Sequence, residues 1–201
     1  MQNPSGKKLP YGRCPADDWD ANATISNYVG SLGPQCAIGP CGYNPFQTYC
    51  NQPAWGYTTS PDHGNSYSSN DIRGLFNRVG AQMTYPASIV DGTSNTIMVG
   101  ETLPGSHDHF QSNAWWYFNG GASHCTTIIP INYLMPEQVN KGGCETYSSN
   151  WNISWGFKSR HGPGANFVFA DGSVHFLSQA IDHRTYQLLG CRNDGQVPGN
   201  Y

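Results

Sequence analysis

A histidine, nine intervening residues and then Asp-Gly, set in the stretch RHGPGANFVFADGSVHFLS at 160–178, constrain this chain more than any other feature. Polar and apolar residues alternate on both sides of Asp171-Gly172, the pattern of two half-buried strands joined by a tight turn. Asp-Gly tolerates the two positive-φ positions of a two-residue type I′ turn. The sequence therefore predicts Ala170 opposite Ser173, Phe169 opposite Val174 and Phe167 opposite Phe176. In that register Phe167, Phe169, Val174 and Phe176 share the core face, while Asn166, Val168, His175 and Leu177 share the other.

Further strands are predicted at 26–30, at 96–101 with Ile97 and Val99 on one face, at 114–118 and at 154–158. One helix is clear: Asp182 can cap it, Tyr186, Leu188 and Leu189 form an apolar edge, and Gly190 stands where a C′ residue belongs. Between 33 and 70 the chain has almost no apolar periodicity and is dense in turn residues, which predicts a surface insertion. Its cysteines and aromatics are what a long loop needs to pack on itself. The predicted organisation is a flexible lead at 1–13 and one domain at 14–201 that carries the 33–70 insertion. The residues predict an antiparallel sheet with loops around it and a short C-terminal helix.

With 11% charged residues, 24 Gly and 14 Pro in 201 residues, the chain is loop-rich and is no helical bundle. A net charge of -3 without a basic cluster leaves no electrostatic footprint for nucleic acid. Seven cysteines without a C-x-x-C pair disfavour a zinc ribbon and predict an oxidising compartment. The expected bridges are one among Cys36, Cys41 and Cys50 and one between Cys125 and Cys144, with one thiol of the odd count left over.

The 160–178 block, SIVDGTSNTIMVGE at 88–101 and TYQLLGCRNDGQVP at 185–198 resemble the pilin-like surface proteins of planctomycete-type bacteria, which carry a prepilin-type processing-associated His-x9-Asp-Gly domain. CPADD from Cys14 and SNYVGSLG from Ser26 are similar to the start of that family's globular region. The resemblance implies the fold class α+β, a pilin-like head, and an extracytoplasmic structural subunit, of a type IV pilin or type II secretion pseudopilin kind, that self-assembles with pilin-like subunits. It marks His161, Asp171, Gly172, Asp91, Gly92 and Glu101 as motif residues. In such proteins a long apolar helix precedes the head and is the sole link to the membrane. Here QNPSGKKLPYGR follows Met1, so the expectation is a soluble head with that helix missing, leaving an apolar groove on the sheet.

No activated nucleophile stands out, and no catalytic residue is assigned. GTSNT and GGASH lack the second glycine of a nucleophile elbow, and turn and capping bonds account for Ser94. No cofactor is assigned either. Calcium is the candidate ion, through the alternate oxygens of Asp91, Thr93 and Asn95 or, by the resemblance, through another loop. His107 and His109 flank Asp108 and could share a metal with His124 or Glu101 as the third ligand. His161 is expected to fix the loop before the hairpin, and its catalytic use with Asp171 would need the two side chains to converge. Trp115, Trp116, Tyr117, Tyr147, Trp151 and Trp155 form an aromatic zone. Its exposed members would let the chain bind an extracellular polysaccharide, the alternative to a structural role. An uncharacterised hydrolase or metal enzyme ranks third.

Overall fold

The computed structural model describes residues 10–19, 25–37, 46, 62–112, 124–135, 144 and 150–201. Strands β1 (Tyr28–Ser31), β2 (Ile97–Glu101), β3 (His124–Cys125), β4 (Gly164–Phe169) and β5 (Val174–Ser178) form one sheet in the order β3-β1-β2-β4-β5. Every neighbouring pair is antiparallel except β1 with β3, which is parallel, so the sheet is mixed. Helices α1 (Asp108–Ser112), α2 (Trp151–Ser154) and α3 (His183–Gly190) surround it, giving the expected α+β class with a short C-terminal helix. Among the described residues no helix is long and apolar enough to cross a membrane.

The hairpin is where predicted, but its register differs by one residue. Phe167 pairs with His175 and Val168 with Val174, and Phe169 N–H donates to Ser173 O at 2.9 Å. The loop therefore holds Ala170, Asp171 and Gly172, and of these Gly172 alone has a positive φ, 87°. This is the three-residue turn closed by a left-handed residue, and it displaces the two-residue type I′ turn. Two sets of bonds select it. Asp171 Oδ1 accepts from Ser173 N–H at 2.8 Å and from its hydroxyl at 2.6 Å, and the tip is tied to β2's entrance through Ala170 N–H to Thr96 O and Asp171 N–H to Thr93 O. The slip exchanges the faces of β5: Leu177 enters the core at 1% exposure, while Val174 and Phe176 stand outside at 66% and 49%.

A bulge in β2 produces the second departure. Ile97 pairs with Phe169 and Val99 with Val168, so one extra residue, Met98, puts Ile97 in the core and Val99 on the outer face rather than both on one side. The predicted strand at 154–158 is not one. Ser154 closes α2, whose turn is held by Ser154 N–H to Asn150 O and Trp155 N–H to Trp151 O. Beyond it Phe157 and Lys158 are buried, with Lys158 N–H donating to Glu101 O. The strand predicted at 114–118 lies outside the described residues.

The inner face of the sheet makes the main core: Val29, Ile97, Ala165, Phe167, Phe169 and Leu177 pack with Phe157 and Phe110 and with Tyr186 and Leu189 of α3. Asp182 caps α3 as expected, its Oδ1 accepting from Thr185 N–H at 2.8 Å. Gly190 is not a left-handed C′ residue. It is the last helical residue and is needed for closeness, since a Cβ there would lie 2.1 Å from Thr127 Oγ1. A second core joins Leu32, Cys36, Ala37, Ile128, Ile129 and Trp155, so both described ends of the 33–70 segment, Cys36–Ala37 and His63, are buried. Cys36 is disulfide-bonded. Cys125 is a buried free thiol with its Sγ 3.6 Å from Gly156 O, which rules out the expected bridge to Cys144. Its place on the inner face of β3, beneath the sheet, removes it from any surface loop.

Candidate functional site

Two motif residues far apart in sequence meet at the edge of the outer sheet face. Glu101 ends β2 opposite Asn166 of β4 and is clamped there: Oε2 accepts from Asn166 N–H at 2.7 Å, and the Asn166 amide reaches both carboxylate oxygens. Its Oε1 lies 3.6 Å from Nε2 of His161, an exposed ring in the loop before the hairpin. Cys14, which the sequence did not single out as a site residue, lies with Sγ 3.0 Å from the same nitrogen. Asn27 positions Cys14. Its Oδ1 accepts from Cys14 N–H and Arg13 Nε, both at 2.9 Å, and its amide donates to Asp17 Oδ2 and Thr102 O, using the whole bonding capacity of a buried side chain. The clue available in the sequence was the pairing of CPADD with SNYVG.

Thiol and carboxylate thus address one imidazole nitrogen. A relay that activates a nucleophile bonds the base through one ring nitrogen and its orienting partner through the other; here both contacts meet at Nε2 and tie the loop before the hairpin to the sheet. Beside it Tyr28, Val99, Val168 and Val174 line an open cavity of about 330 Å³ whose polar end is Glu101, Asn166 and His161. Asp171 does not converge with His161; its carboxylate is engaged by Ser173, and that hydroxyl reaches His175 Nε2 at 2.9 Å. The Ser173 bonds hold the Asp171 carboxyl below the usual carboxylate range.

The Asp91 carboxylate is used by the C-terminal tail, accepting Asp194 N–H at 2.7 Å and Gly195 N–H at 2.8 Å. The Asn95 side-chain amide donates to Asp91 O at 3.2 Å. Gly92 accepts from Asn95 N–H and Thr96 Oγ1 through its carbonyl, and Ser94 is an exposed member of that turn. Burial raises the neighbouring Asp194 carboxyl to about 6.

The His-Asp-His run lies elsewhere, beside α2. His107 is fully buried, and burial pushes its imidazole down to about 4 against the pull of Asp108. Its Nε2 lies 3.2 Å from His124 O, so His124 contributes its backbone, not its ring, to this cluster. Asp108 Oδ1 is 3.5 Å from His107 Nδ1 and 3.0 Å from His109 Nδ1, and accepts from Trp155 Nε1 at 2.9 Å and Ser154 Oγ at 3.2 Å. Burial alone would raise the Asp108 carboxyl; the hydrogen bond from His109 and the Trp155 N–H outweigh it and hold it low. Glu101, the other conceivable third ligand, is committed to the outer face. Trp155 is 1% exposed and stacks on His107, which takes it out of a sugar-facing surface. Trp151 is half-buried against Trp155, while Trp115, Trp116, Tyr117 and Tyr147 lie outside the described residues.

Residues 1–184 match a family model, SBP_bac_10, described as a protein of unknown function (DUF1559). The chain belongs to that family. DUF1559 is a planctomycete-type family of surface, pilin-like proteins, in keeping with the resemblance carried by the blocks around Asp91 and His161. Cys14, Glu101, His161 and the His-Asp-His run all fall within the DUF1559 match, whereas Asp194 and all of α3 beyond Arg184 follow it. Neither a curated protein nor a solved structure matches the chain.

Proposed function

We propose that this DUF1559 chain is the head of a non-enzymatic, extracytoplasmic pilin-like subunit that is held in a surface assembly by the outer face of its sheet. One observation carries the reading. The inner face is filled by the main core, yet the outer face carries a strip of Tyr28, Val99, Val168, Val174 and Phe176, of which Tyr28, Val174 and Phe176 are 41%, 66% and 49% exposed. Apolar side chains side by side on one sheet face, next to an open cavity of about 330 Å³, suit an apolar helix or a neighbouring subunit laid across the strands. The prepilin-type processing implied by the His-x9-Asp-Gly motif belongs to the same proposal. The single-nitrogen geometry of Cys14, Glu101 and His161 supports a structural role for the motif histidine.

Val174→Asp with Phe176→Asp, expressed in the native host, tests this. Both side chains face outward, so the head should fold with an unchanged circular dichroism spectrum while the subunit disappears from the surface-assembly fraction. Undiminished assembly of the double variant, or a wild-type protein found only as a cytoplasmic monomer, would overturn the reading.

A further inference from the structure

We propose that His107, Asp108 and His109 form a binding site for one divalent first-row transition-metal ion, through Nδ1 of each imidazole and Oδ1 of the carboxylate. The argument begins with the His107 tautomer. A backbone carbonyl only accepts, so the 3.2 Å contact with His124 O requires the proton on Nε2. The ring is fully buried, and with its proton on Nε2 the Nδ1 atom turns a lone pair inward. That atom has no hydrogen-bond partner, and 3.5 Å away stands Asp108 Oδ1, an oxygen of a carboxylate with 9% side-chain exposure. Two electron-rich atoms facing one another out of water repel. A cation between them turns the repulsion into two bonds.

The third donor is His109, whose Nδ1 lies 3.0 Å from the same oxygen and would release its hydrogen-bonding proton to solvent on binding the ion; the three atoms all lie within 4.8 Å of one another. Metal bonds of about 2.0–2.1 Å to imidazole and about 2.0–2.2 Å to carboxylate, arranged tetrahedrally, separate ligand atoms by roughly 3.3–3.5 Å. The observed 3.0 and 3.5 Å need only small adjustment. The surroundings are those that orient ligands: His107 directs its other N–H to a carbonyl, and the carboxylate oxygen is held by Trp155 Nε1 and Ser154 Oγ. Two imidazoles with one carboxylate leave coordination positions open and suit zinc or ferrous iron. Among the described residues, two other clusters of metal-ligating side chains have their own explanations. Cys14 and His161 are joined at hydrogen-bond distance, and in the Asp91–Cys191–Asp194 group the Asp91 oxygens hold backbone N–H groups while burial pushes the Cys191 thiol up to about 12.

Calorimetric titration of the chelator-stripped protein with zinc(II) tests the site, and cobalt(II) absorption reads its geometry. Wild type should bind one zinc ion per chain and show the intense visible bands of a four-coordinate cobalt ion. His109→Ala removes a ligand, and Asp108→Asn keeps an oxygen for Trp155 and Ser154 while deleting the charge. Each should weaken zinc by at least about tenfold with the circular dichroism spectrum unchanged. Cys14→Ser should bind zinc as wild type does. Failure of wild type to bind zinc, equal affinity in Asp108→Asn and His109→Ala, or loss of binding in Cys14→Ser would each overturn the proposal. Should His109→Ala not fold, Asp108→Asn decides alone.

Discussion

At the scale of single residues, buried polar groups dominate this protein. Lys158 is fully buried with its Nζ donating to Ile153 O at 2.6 Å, and burial pushes its ammonium down to about 8. Because the folded value lies below the usual 10.5, the neutral form is favoured by folding. The stability linked to this group is therefore fully present above about pH 10.5 and is lost as pH falls through about 8. The buried Cys125 thiol is displaced the opposite way, up to about 12, and so favours the fold below its ordinary value of 9.0. Comparison of wild type with Lys158→Met separates the two. From about pH 7 to about pH 9 the unfolding free energy of wild type should rise relative to the variant by about 1–2 kcal/mol, measured by urea titration at each pH. A difference independent of pH would mean that Lys158 stays charged inside the fold.

At the scale of elements, the β4–β5 hairpin shows how a turn decides what a strand exposes. Gly172 has φ 87° and nothing within 4 Å of the place a Cβ would occupy, so any substitution there is opposed by backbone conformation and not by crowding. Gly172→Val should cost about 1–2 kcal/mol, seen as a lowered denaturation midpoint. Gly172→Asn should cost less, because asparagine tolerates the left-handed region. Equal loss in both variants would indicate that the loop is not closed by a left-handed residue. The alternation of the two strands was legible in the sequence, but the turn type was not. Asp171-Gly172 is compatible with both a two- and a three-residue loop, and the tie of Ala170 and Asp171 to Thr96 and Thr93 lies in a segment some eighty residues earlier.

At the scale of the whole molecule, three of the described cysteines, Cys14, Cys125 and Cys191, are buried free thiols, and Cys36 is disulfide-bonded. Alkylation of the native protein should therefore leave these three unmodified, and alkylation in denaturant should capture them, with Cys36 labelled only after reduction. Mass spectrometry of the digested protein reads all four. Reductant should also lower the melting temperature, since a native disulfide is worth about 2–5 kcal/mol in a domain of this kind. Labelling of Cys125 at the native rate of an exposed thiol would contradict its place beneath β3.

The sequence by itself determined a sheet with its hairpin at 160–178, the capped helix after Asp182 and the pilin-like resemblance around Asp91 and His161 that carried the α+β class. Each of these rests on short-range physics: alternation, a capping carboxylate, a turn dipeptide and blocks of adjacent residues. Tertiary structure alone decided that Val174 and Phe176 face outward, because one residue of slip reverses every side chain of a strand. It alone separated Ile97 from Val99, through a bulge that nothing in IMVGE announces. It also brought Cys14 to His161, 147 positions away, and set Asp108, not His124 or Glu101, beside the two imidazoles. Residue types state which bonds a side chain can make. Only the packing of distant segments fixes which partner is within reach and which faces are removed from water.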